Sequence, residues 1–85
     1  MCEITGATKV KGNIYLGCTG YDGDFMKARL LRIYDESGNK FETADFVMEK
    51  TRTCFTTQTT PWIMLKDDVP SIFLHKGNKI EFDFN

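Results

Sequence analysis

The sequence predicts an all-β fold: a small single-domain antiparallel barrel or sandwich of six or seven short strands spanning residues 1–85. Three observations carry this expectation. Turn-forming residues recur at Thr5-Gly6, Gly12-Asn13, Gly20 to Asp24, Asp35 to Asn39, Asp67 to Pro70 and Lys76 to Asn78. The runs between them are short and apolar-rich, which is the pattern of sandwiches and barrels. The C-terminal stretch places Ile80, Phe82 and Phe84 on one side and Glu81 and Asp83 on the other, the period of two expected of a half-buried strand.

Taken in order, the first ambiguous element is DFMKARLLRIY, residues 24–34. Asp24 as N-cap, with Met26, Leu30 and Ile33 on one helical face, would make one short helix and an α+β fold. Met26, Ala28 and Leu30 also alternate with Lys27 and Arg29, and the run leads straight into a turn. A strand is therefore the reading adopted. The following DESGN has Asp and Ser to start a turn and Gly38 for a positive φ, so residues on either side should form a hairpin.

The segment KTRTCFTTQTTPWIML holds six threonines in ten residues. Thr51, Thr53 and Phe55 would share one strand face, opposite Arg52, Cys54 and Thr56. Thr57 to Thr60 contains no apolar residue and reads as a connection. Pro61 lacks an N–H to give to a ladder and suits the start of a strand. Trp62 to Leu65 would be a short, largely buried strand. Trp62 itself has two readings: a core residue because of its large apolar area, or an exposed anchor. The core is the expectation. SIFLHKGNKIEFDF closes the chain as a second predicted hairpin, turning at KGN.

Composition limits the function. Eighty-five residues make one domain. Eleven basic residues face twelve acidic ones, for a net charge of −1. No global field steers the chain to nucleic acid or an anionic membrane. No apolar run approaches the roughly 18 residues of a spanning helix, and MCEITGATKVKG lacks the order of a signal peptide. A cytoplasmic protein with no membrane association is expected. Cys2, Cys18 and Cys54 are odd in number and widely spaced, so they are read as reduced thiols. Cys18 and Cys54 should be semi-buried, and Cys2 should lie on a frayed end.

Chemistry-bearing patterns are sparse. His75 is the sole histidine and no Cys-x-x-Cys pair exists, so no metal site is expected. Asp22 and Asp24 flank Gly23, but Phe25-Met26 follow where a calcium loop would need more oxygens. Asp67 and Asp68 are adjacent and would point apart on an extended chain. There is no glycine-rich phosphate loop. The expectation is no enzyme and no cofactor, with a small thiol-dependent enzyme using Cys54 (paired with His75) kept as a third reading.

The first reading is a non-catalytic binding or adaptor module that contacts another protein. Its site would combine Tyr21, Asp22, Asp24 and Phe25 with Thr57, Gln58, Thr59 and Trp62, because these belong to the longest loops and loops carry function. The alternative is a small-barrel binder of RNA or single-stranded DNA. Tyr15, Tyr21, Tyr34 and Trp62 would stack bases, with Lys9, Lys11, Arg29, Arg32, Lys50 and Arg52 on the backbone. Oligomeric state is left open.

VKGNIYLG, ARLLRIYDESG and IFLHKGNKIEFDF occur in an order that loosely resembles the second, β-barrel domain of translation GTPases of the elongation-factor Tu type. The resemblance implies a compact barrel and a binding role. It implies no GTPase activity, since no GTP-binding motif is present.

Overall fold

The computed structural model of this chain describes residues 2–19, 27–52, 59–66 and 68–84. Seven strands run in chain order: β1 (Cys2–Val10), β2 (Asn13–Thr19), β3 (Leu30–Tyr34), β4 (Lys40–Thr43), β5 (Phe46–Arg52), β6 (Thr59–Lys66) and β7 (Lys79–Asp83). They form one antiparallel sheet in the order β4-β3-β7-β1-β2-β6-β5. The all-β expectation holds. The alternative helix at 24–34 does not, because Leu30 to Tyr34 is strand.

Local chemistry sets the turns. Lys11 and Gly12 both have positive φ, at 50° and 85°, as a two-residue hairpin loop between twisted strands requires. In the DESGN loop the Asp35 carboxylate accepts backbone N–H groups from Ser37 and Asn39 and the Asn39 side-chain amide at 2.8–3.0 Å. Those bonds hold the Asp35 carboxyl below its usual range, with the Asn39 side chain the largest cause. Thr5-Gly6 is a bulge rather than a turn. There β1 shifts register between Ile4–Cys18 and Gly6–Gly17. A side chain on Gly17 would meet Thr5 Oγ1 at 2.8 Å, so the bulge needs a glycine opposite it.

The sheet curls on itself. β4 and β5 stand at opposite ends of the strand order, yet only Ala44 and Asp45 separate them in sequence. The two edges must therefore meet at that corner, where Thr43 Oγ1 accepts the Asp45 N–H at 3.0 Å. The described strands do not close into a ring. β7 joins the halves of the sheet, with Ile80 paired to Cys2 on one side and to Ile33 on the other. The concave face holds the core: Ile4, Ile14, Leu16, Leu31, Ile33, Ile63, Leu65 and Ile80 are all essentially buried.

Four expectations need correction. Ser71 to Leu74 is a 3-10 turn, not the left arm of a hairpin. Both sides of β7 are already taken by β1 and β3, so no edge remains for that segment to join. Pro70 instead accepts the Phe73 N–H, Asn78 donates its amide to the Ile72 carbonyl, and the Phe73 ring packs at 5.5 Å from Phe41. In β3 the faces are inverted: Leu31 and Ile33 are inside, while Leu30 is half-exposed. Cys2 does not lie on a frayed end; it is fully buried, because its backbone position opposite Ile80 turns the thiol into the core. The predicted core residue Trp62 is exposed, because Ile63 and Leu65 occupy the inner face of β6.

Candidate protein-binding surface

Side chains alternate across a strand, so β6 presents Ile63 and Leu65 inward and Trp62 and Met64 outward. Trp62 keeps 40% of its surface exposed. The register sets its surroundings. Met64 stands between Val47 of β5 and Tyr15 of β2, and Tyr15 faces Thr8 of β1. Trp62 stands beside Gly17, which pairs with Gly6. Directly opposed side chains lie about 5 Å apart, so Val47, Met64 and Tyr15 form one row spanning about 10 Å. Val47 is 47% exposed, whereas Met64 and Tyr15 are half-buried. Trp62 extends this row to an apolar and aromatic strip, flanked in the register by Glu49 on β5 and by Gly17, over which the Thr5 side chain lies.

The other half of the outer face is charged. Arg32 of β3 donates to Glu42 of β4 at 2.7 Å and, on β7, to Glu81 at 3.1 Å and Asp83 at 2.9 Å. These carboxylates, Asp83 foremost, raise the guanidinium further above its already high range. The Tyr34 hydroxyl donates to Glu81 at 3.2 Å. Desolvation and then that carboxylate push the phenol upward. Lys79 pairs with Glu3 across β7 and β1.

Among the described residues there are shallow hollows of about 550, 240 and 410 Å³. That of about 550 Å³ lies between the Asp35 loop and the 3-10 turn, beside exposed His75 and Lys76. Among the described residues, no three His, Cys, Asp or Glu side chains gather as metal ligands. No described helix is long and apolar enough to cross a membrane.

Of the site residues expected from sequence, Tyr21, Asp22, Asp24, Phe25, Thr57 and Gln58 lie outside the described residues, as does Cys54. Thr59 opens β6 opposite Arg52. Trp62 is on the surface described above. The expected site omitted Val47 and Met64, and it omitted Tyr15, which entered only the nucleic-acid reading. The sequence signal for Met64 was parity: it lies two residues from Trp62, as Leu65 does from Ile63. Comparison with protein-family models, curated proteins and solved structures finds no match to this chain.

Proposed function

We propose that this chain is a non-catalytic cytoplasmic binding module whose partner is another protein, docked on the strip centred on Trp62. The observation that carries this is the exposed indole two residues along β6 from Met64, next to the row formed by Val47, Met64 and Tyr15. Single exposed apolar residues are ordinary on a protein surface, but contiguous patches mark interaction sites. Trp, Tyr and Met are also the residue types enriched in interface cores.

Charge favours protein over nucleic acid. On the other half of the outer face, Glu3, Glu42, Glu81 and Asp83 stand against Arg32 and Lys79. Arg32 is already shared among three carboxylates, so this half-face is a poor seat for phosphates.

The test compares Trp62→Ala with the parent chain as immobilised bait in extract from the native cell. The expected result is a variant that keeps its cooperative melt and loses the captured protein. Capture that is unchanged by the substitution would overturn the reading. RNA binding that weakens steeply with salt would favour the single-strand binder instead.

A further inference from the structure

We propose that the hollow of about 410 Å³ on the core-facing side of β1 binds a small carboxylate with an apolar chain or ring. Ala7, Ile14, Val69 and Leu74 form its apolar lining, and Lys9, Ser71 and His75 bring hydrogen-bond donors. It is separate from the Trp62 strip, which lies on the outer face.

The hollow exists because β1 outruns its cover. Opposed residues of an antiparallel pair share a face. Past the bulge, Ala7 stands opposite Leu16 and Lys9 opposite Ile14. Leu16 and Ile14 are buried in the core, yet Ala7 and Lys9 are exposed. The 3-10 turn accounts for the difference, because the loop that follows it is bonded to Ile4. The Gly77 N–H donates to the Ile4 carbonyl at 2.8 Å, and the Ile4 N–H donates to the Asn78 carbonyl at 2.9 Å. The turn is thereby held at the first half of β1, where Cys2 and Ile4 are buried, and the second half is left open beside it. Val69 and Leu74, each partly buried against the core, form the opposite wall.

Shape and chemistry then select the ligand. The volume falls within the range of about 300–1,000 Å³ of small-molecule sites, which are mostly apolar with a few placed polar groups. A hydrocarbon chain or ring covers the apolar lining and releases the water on it. An ammonium and a hydroxyl can donate to a carboxylate, and an imidazole keeps a ring N–H in either protonation state. Lys9 has another interaction within the chain, so the carboxylate depends on the three donors together rather than on one free cation. None of the described lining residues is acidic, so a carboxylate meets no like charge among them and an amine finds no counter-charge. The hollow of about 550 Å³ has no such preference, since Asp35 and Glu36 line it together with His75 and Lys76.

The experiment titrates the full, isotope-labelled chain with sodium octanoate and follows each backbone amide by NMR. Saturable shifts are expected at Ala7, Lys9, Ser71 and Leu74. Acetate, which lacks the chain, and octanol, which lacks the charge, should each bind at least about tenfold more weakly. Ala7→Phe puts a ring into the hollow from an exposed strand position, where an aromatic is well tolerated. It should abolish the shifts, whereas Trp62→Ala should bind octanoate as the parent does. No saturable shift at millimolar octanoate, shifts centred on Val47, Met64 and Trp62, or octanol binding as tightly as octanoate would each overturn the proposal. Unchanged binding to Ala7→Phe would do the same. The parent chain's titration is decisive by itself, so the result does not depend on a variant folding.

Discussion

On the β4-β3-β7 side of the outer face, Arg32 gathers Glu42, Glu81 and Asp83. On the β2-β6-β5 side, the outward positions include Tyr15, Met64, Trp62 and Val47, bounded by Lys66 at one end of β6 and by Glu49 in the pairing of Trp62. Both halves follow the same strand alternation over one continuous core. They differ in how their outward groups are satisfied. The charged half finds its partners within the fold. The apolar half leaves side chains facing water, at roughly 25 cal/mol for each Å² that a partner could cover. A surface that is complete on one side and incomplete on the other indicates where a second molecule gains most by docking.

The largest expected effect lies beneath both halves. Ile80 is fully buried and pairs with residues of both β1 and β3. Ile80→Ala should cost about 2–5 kcal/mol in urea unfolding, as large-to-small core changes do. A loss under about 1 kcal/mol would show that the two halves do not share one core.

Arg32→Met comes next. It keeps the apolar stem and removes the cation that three carboxylates share. The melting temperature should fall at low salt, and the gap to the parent should narrow as salt screens the network. A gap independent of salt would mean that the stem, not the charge, holds this half together.

Trp62→Ala should cost less stability than Ile80→Ala, on the order of 1–2 kcal/mol, because two-fifths of the residue already faces solvent. If the strip is the docking site proposed above, the main effect of the substitution should appear in partner capture. The parent's tryptophan emission should be red-shifted and readily quenched by acrylamide. A blue, protected emission would place the indole inside and remove the strip.

The smallest effect is at the Asp35 loop. The Asp35 carboxyl is lowered in the fold, so its contribution is present above the unfolded value of about 3.9 and is lost as pH falls through the lower folded value. Asp35→Asn should flatten the acid limb of a stability-against-pH curve below about pH 4 and remove some stability at neutral pH. An acid limb identical to the parent's would contradict the assigned bonds.

By itself the sequence determined the β class, the Asp35–Asn39 turn and the alternation that places Ile80 inside. Each rests on chemistry within a few residues: a carboxylate reaching nearby N–H groups, a glycine at positive φ, a period of two. The tertiary structure decided what those few residues leave open. Trp62-Ile63-Met64-Leu65 is apolar throughout, so it has no period, and only pairing with β2 and β5 selects which parity faces the core. LLRIY carries the same ambiguity until β7 brings Ile80 opposite Ile33. Ser71 to Leu74 has the composition of a strand, but β7 has no free edge for it and the segment coils into a 3-10 turn. The strip around Trp62 joins β2 to β6 and β5, which lie far from it in the chain, so register, not local propensity, brings its residues together.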